Sequence, residues 1–110
     1  MLEDINHFTG TDKYYKHFLG ILFTDGIKYV ADEAGAYWLI DAIASYQPRL
    51  RQEEFQSWTL KKNENDSWTL SATDGNDREL VRQEIEFSDF PRDKMNFFLC
   101  NKTLMLPSEY

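Results

Sequence analysis

Residues 57–70 read Ser57-Trp58-Thr59-Leu60-Lys61-Lys62-Asn63-Glu64-Asn65-Asp66-Ser67-Trp68-Thr69-Leu70, so Ser-Trp-Thr-Leu occurs twice, ten positions apart. Side chains two apart on a strand share a face. Trp58 and Leu60 therefore point one way, Trp68 and Leu70 point one way, and all four occupy even positions. For a hairpin to place all four on one dry face, paired residue numbers must add to an even number, which requires a loop of odd length. Three-residue loops with a left-handed third residue are common, and Asn63-Glu64-Asn65 supplies one, because Asn at position 65 tolerates that conformation. In the register that results, paired numbers sum to 128, with Trp58 against Leu70 and Leu60 against Trp68 on the dry side. Thr59 then faces Thr69 and Ser57 faces Ser71 on the other. Each matched pair is worth roughly 0.2–1 kcal/mol, and a slip by one residue would turn both tryptophans to water. The repeat reads as a folding device with two core anchors, too short and isolated to mark a repeat protein.

The two-residue period continues on both sides. Residues 55–62, 67–73, 79–87 and 95–101 read as strands, 103–106 as a short fifth, and the breaks between them have turn compositions. Val81, Ile85 and Phe87 fall on one side of the third strand, and Arg82, Glu84 and Glu86 on the other. Upstream the period lengthens. Ile27, Val30, Ala31 and Ala34 form one helical stripe behind Thr24 or Asp25 as N-cap, with Gly35 as its end. Residues 36–47 form a second helix, with Leu39, Ala42, Ile43 and Tyr46 on one face, Ile40 bordering it and Pro48 as its stop. Residues 12–18 fit a short helix capped by Thr11 or, almost equally, an extended segment. The predicted fold is a single α+β domain over residues 1–110. Residues 8–47 are mostly helical, and two or three N-terminal helices pack on one face of a C-terminal antiparallel four- to five-stranded β-meander at residues 55–106.

The 110 residues suffice for one core without staples, and with 42% hydrophobic and 15% aromatic residues the chain is unlike a disordered one. Cys100 is the only cysteine, which excludes an internal disulfide and fits a reducing compartment. No apolar run reaches 18 residues and the acidic first six residues do not resemble a signal peptide, so a soluble cytoplasmic protein is expected. The net charge is −7, and residues 64–89 hold eight acids against Arg78 and Arg82, a net of −6. Direct binding to a phosphate backbone over that surface is disfavoured, whereas a basic protein surface would be attracted.

The stretches FTGTDKYYKH, TDGIKYVADEAGAYWLIDAIASYQ, SDFPRD and LMLPSEY resemble a small bacterial family known only as a domain of unknown function. The resemblance covers nearly the whole chain. It implies a single-domain unit of bacterial or phage origin, often near mobile elements, and carries no activity, cofactor or catalytic residue.

Candidate chemistry is sparse. His17 could join Asp25, Asp32 or Asp41 in a catalytic or metal cluster, but only His7 and His17 exist, too few for a convergent metal site. A surface or helix-end histidine is the simpler reading. Tyr37 and Asp41, four apart, share a helix face with Trp38 at its margin, which suits a partner or simply covers the neighbouring helix. Thr24-Asp25-Gly26 could present a helix N-terminus to an anion, although Asp25 would repel it and capping accounts for the residues. Leu106-Pro107-Ser108-Glu109-Tyr110 could be a docking peptide or the end of an edge strand.

Three functions remain. The preferred one is a small acidic non-enzymatic binding protein. Glu64, Asp66, Asp74, Asp77, Glu84 and Glu86 would contact a basic protein, as in a phage or mobile-element inhibitor that mimics nucleic acid or binds a host-defence protein. The second is an enzyme or small-ligand binder with a pocket between helices and sheet lined by Tyr29, Tyr37, Trp38 and Asp41. The third is a homo-oligomeric module joined through Phe97 and Phe98. No metal, cofactor, membrane or direct nucleic-acid contact is expected.

Overall fold

The computed structural model describes Leu2 and residues 5–110. Of the acidic start read from the sequence, Met1, Glu3 and Asp4 lie outside the described residues. Seven strands form one sheet: β1 (Tyr14–Lys16), β2 (Leu22–Thr24), β3 (Phe55–Lys62), β4 (Trp68–Thr73), β5 (Glu79–Ile85), β6 (Lys94–Cys100) and β7 (Thr103–Met105). Helices α1 (Asp25–Ala34) and α2 (Tyr37–Ser45) lie between β2 and β3. The spatial order is β1-β2-β7-β6-β3-β4-β5. Every neighbouring pair is antiparallel except β2–β7, which is parallel.

This corrects the expected architecture of N-terminal helices followed by a four- to five-stranded meander. Two strands precede the helices, the alternative helix over residues 12–18 is extended chain containing β1, and β3 is an interior strand paired with both β4 and β6. The reason is pairing at long range. Leu22 and Phe23 lie beside Thr103 and Leu104, and a three-residue strand is too short to show a period of its own.

The hairpin at residues 55–73 keeps the expected parity but not the expected pairs. Trp58 faces Ala72, Leu60 faces Leu70 and Lys62 faces Trp68, so paired numbers sum to 130. The Asn63 N–H donates to the Ser67 carbonyl at 2.7 Å, which closes the three-residue loop Glu64-Asn65-Asp66. Asp66, rather than Asn65, takes the left-handed place with φ 67°. A shift of the loop by one residue at each end leaves its length odd, so both tryptophans still share a face, with 0% and 2% exposure. Asn63 also reaches Thr69 and Ser67 with its side-chain amide, contacts the other loop would forfeit.

Both helices cover the tryptophan face. Thr24 caps α1 by accepting the Ile27 N–H, and Gly35 ends it at φ 61°, the left-handed conformation Gly adopts without penalty. Ile27, Val30 and Ala31 of α1 and Leu39, Ile40, Ile43 and Ala44 of α2 are buried in one cluster with Trp58, Leu60, Trp68, Leu70, Phe97, Leu99 and Leu104. Within that core Gln56 is fully buried and fully bonded. It exchanges two amide hydrogen bonds with Gln47 at 2.9 and 2.8 Å and accepts the Trp58 indole N–H at 2.9 Å. Replacing Gln56 by Leu keeps the volume but orphans the indole N–H and one side of the Gln47 amide. A loss of about 1–3 kcal/mol is expected, read as a lower urea midpoint with unchanged m-value.

Candidate functional site

Parity that buries the even residues of β3 and β4 turns the odd ones to the other face, and the helices leave that face uncovered. Across β4, β3 and β6 it presents Ser71, Thr59 and Asn96 in register, followed by Thr73, Ser57 and Phe98. Thr59 donates to the Asn96 side chain at 2.9 Å, and Thr69 donates to the Glu84 carboxylate at 3.1 Å. At one end of this face Phe55, Phe98 and Tyr110 form an aromatic triangle with centroids 5.1–5.5 Å apart. The next row sets Glu84, Thr69, Lys61 and Lys94 side by side, and Arg82 flanks Ser71, so short hydroxyl and amide side chains at the middle of the face lie between an apolar end and an end of mixed charge.

The six acids expected to act together divide along β4. Glu64 and Asp66 occupy the β3–β4 loop. Glu84 lies opposite Thr69, and continuing that register sets Glu86 opposite Ser67, beside the loop. Asp74 and Asp77 sit in the β4–β5 turn at the other end of the strand. Asp74 is also engaged locally. It bonds the Arg78 guanidinium at 3.1 Å and lies below the usual carboxylate range, chiefly because the Asn76 N–H donates to it. Arg82 pairs with Glu79 at 2.8 Å and Lys62 lies 3.7 Å from Asp66.

The four residues proposed for a pocket do not converge. Tyr29 packs at a tilt against Phe8 with ring centroids 5.3 Å apart, the Tyr37 hydroxyl donates to Asp32, Trp38 lies beside Ile85 and Phe87, and Asp41 bonds His17. Between the helices and the sheet, Ile27, Ile40, Ile43, Phe97 and Leu104 enclose a void of only about 10 Å³, too small for a ligand. A cleft of about 310 Å³ opens elsewhere, lined by Leu19, Ile21, Pro48, Leu50 and Leu99 with Arg51, Glu54 and Lys102. The sequence offered no sign of it, because its walls are three loops distant along the chain.

His17 and Asp41 do meet. Nε2 lies 2.6 Å from Asp41 Oδ1, while Nδ1 accepts the Leu19 N–H at 3.0 Å. That second bond assigns the proton to Nε2, which donates to Asp41. Both ring nitrogens are spent within the chain, so the pair fastens the β1–β2 turn to α2 and offers a substrate no free base. Among the described residues there is no group of three His, Cys, Asp or Glu placed to hold a metal.

The N-terminus of α1 does receive an anion, and the anion belongs to the chain itself. The strand β7 leads into a 3-10 turn at Pro107–Glu109. Glu109 Oε1 accepts from the Thr24 hydroxyl at 2.7 Å and the Leu106 N–H at 2.9 Å, and Oε2 accepts from the Gly26 N–H at 3.2 Å. Helix N-termini favour such carboxylates. Repulsion by Asp25 is avoided because its carboxylate turns outward to the Asp12 and Lys13 N–H groups and the Tyr15 hydroxyl. The Thr24-Asp25-Gly26 and Pro107-Ser108-Glu109 stretches are therefore one structural unit. A Cβ at Gly26 would collide with Glu109 Oε1 and come within 2.6 Å of Leu106 Cδ1.

Two short helices on one face of a seven-stranded sheet, closed by this clasp, define a class of small one-sided sheet proteins. The chain belongs to the family described as Family of unknown function (DUF6876), whose model matches residues 1–110. No curated protein and no solved structure matches it. No helix among the described residues is long and apolar enough to cross a membrane.

Gly26→Ala is expected to cost about 1–3 kcal/mol through overpacking. In a Glu109→Ala background that cost shrinks without vanishing, since Leu106 still crowds the position; a double-mutant cycle on urea melts measures the difference. Asp25 is held below the usual carboxylate range, first by the Asp12 N–H and then by the Tyr15 hydroxyl. Its depressed folded-state pKa means that the unfolded chain binds the proton more readily. This contribution to stability is complete above the ordinary aspartate value of about 3.9 and is lost as pH falls through the folded-state value. The urea midpoint should fall on acidification below that range, and less steeply in Asp25→Asn.

Proposed function

We propose that this is a small non-enzymatic binding protein of the cytoplasm, whose uncovered sheet face receives another protein with a basic contact surface. The observation that carries the reading is the one-sided cover of the sheet. A seven-stranded sheet with helices on one side only keeps a broad, rigid face open. Its middle rows are short side chains, Ser71, Thr59 and Asn96 followed by Thr73 and Ser57, which lose little rotamer entropy on contact. Phe55, Phe98 and Tyr110 supply an apolar anchor, and at the opposite end Glu64, Asp66, Glu84 and Glu86 supply negative charge on the β4–β5 side, while Lys61 and Lys94 are positive on the β3–β6 side.

Inhibition of a nucleic-acid-handling enzyme on behalf of a phage or mobile element is one setting for such a surface. The division of the acids over the two ends of β4 directs the proposal to a basic protein surface met at one end, rather than to mimicry of a row of phosphates.

The test is capture from a bacterial host lysate on immobilised protein, compared across variants. Basic proteins retained at low salt and released at high salt are expected on the wild type. Ser71→Arg, at the middle of the open face, should weaken retention about tenfold or more, while Glu33→Lys on the exposed side of α1 should leave it intact. Equal retention by wild type and Ser71→Arg, or loss with Glu33→Lys alone, would overturn the reading.

A further inference from the structure

The outer edge of β5 is unpaired in the sheet order, and its main-chain groups can be assigned from the hairpin. Because the Asn63 N–H donates to the Ser67 carbonyl, Asn63 and Ser67 are a hydrogen-bonded pair. Antiparallel alternation then makes Lys61–Thr69 and Thr59–Ser71 hydrogen-bonded pairs as well. Trp68, Leu70 and Ala72 must turn their main-chain groups toward β5, where they face Ile85, Gln83 and Val81. In the regular part of β5, beyond the register shift at Ala72–Thr73, the N–H and C=O groups left pointing outward are those of Arg82 and Glu84.

Such an edge invites a further strand unless it is guarded, and Lys and Pro are the usual guards. β5 contains neither; its guards are the charges of Glu79, Arg82 and Glu84 and a register shift opposite Ala72–Thr73, so only a strand that matches those charges can add here, and Phe87 stands 78% exposed two residues beyond it. The opposite edge of the sheet differs. There β1 has three residues and ends on Lys16.

From this edge we infer that the chain self-associates by antiparallel pairing of β5 with β5 of a second copy, centred on Gln83. Outward groups must pair with outward groups, which leaves three central registers. One sets Arg82 directly against Arg82 of the second copy, another sets Glu84 against Glu84 of the second copy, and both confront like charges. The third sets Arg82 against Glu84 of the second copy and Glu84 against Arg82 of the second copy. It makes two opposite-charge pairs on the uncovered face and alone confronts no like charges at its centre. On the covered face it brings Val81 beside Ile85 of the second copy, twice by symmetry, so the two cores meet across the seam. The result is a two-fold, isologous contact that extends one open face into the next.

Sedimentation equilibrium over a concentration series tests this with two single variants, Arg82→Glu and Glu84→Arg. The wild type is expected to rise with concentration toward twice the monomer mass. Each variant alone confronts like charges at both pairs and should associate about tenfold more weakly or worse. An equimolar mixture of the two restores both opposite-charge pairs and should associate as the wild type does. Circular dichroism of each variant alone shows that its fold is intact, and if either has unfolded, slowed hydrogen exchange at the Arg82 and Glu84 amides of the wild type at high concentration decides the matter instead. A wild type that stays monomeric, variants that associate like the wild type, folded variants whose mixture remains monomeric, or edge amides insensitive to concentration would each overturn the proposal.

Discussion

Four large apolar side chains, Trp58, Leu60, Trp68 and Leu70, must lie on one side of a two-stranded ribbon, and much of the molecule follows from where that side faces. Apolar burial on this scale outweighs any local preference of the loop, so the loop moves by one residue while the face stays the same. Both helices are drawn to the tryptophan side, and the hydroxyl side is left open. The same parity directs alternate main-chain groups of β4 toward β5 and thereby decides which groups of β5 look outward. A single constraint on side-chain direction thus fixes the core, the open face and the free edge together.

A second constraint joins parts of the chain far apart in sequence. The parallel pair β2–β7 brings the Pro107–Glu109 turn under the first turn of α1. There one carboxylate serves a helix terminus, a capping hydroxyl and its own turn. The His17–Asp41 bond plays a comparable part for the β1–β2 turn. In both places polar groups that resemble parts of a reactive site are consumed in holding the fold, and their partners are fully accounted for.

Local signals in the sequence were reliable where a period had room to repeat. The eight-residue strand β3, the start of α1 to within one residue, and the burial of both tryptophans could all be read from spacing alone. Pairings at long range could not. Nothing near Leu22 announces Thr103, and nothing near the Met95–Asn96 region says that β6 lies beside β3 with Phe97 in the core. Sites were less legible than elements. The six acids are close in sequence yet fall at two ends of a strand, because a hairpin returns the chain only at its turns. Tyr37 and Asp41 share a helix face as read, but each is claimed by a different neighbour, Asp32 and His17.

The pairing of Leu22 with Thr103 has a consequence for how the chain is made. The strands β3, β4 and β5 are successive hairpin partners and can close as they emerge, since their contacts are local. Two of the sheet's seven strands, β1 and β2, join it only through β7, and the first turn of α1 is bonded by the carboxylate of Glu109 from beyond β7. Until β6 and β7 are in place, the inner edge of β3 has no partner and β2 has no strand to join. Closing this side of the molecule therefore rests on contacts of high sequence separation, which form more slowly than the local hairpins beside them.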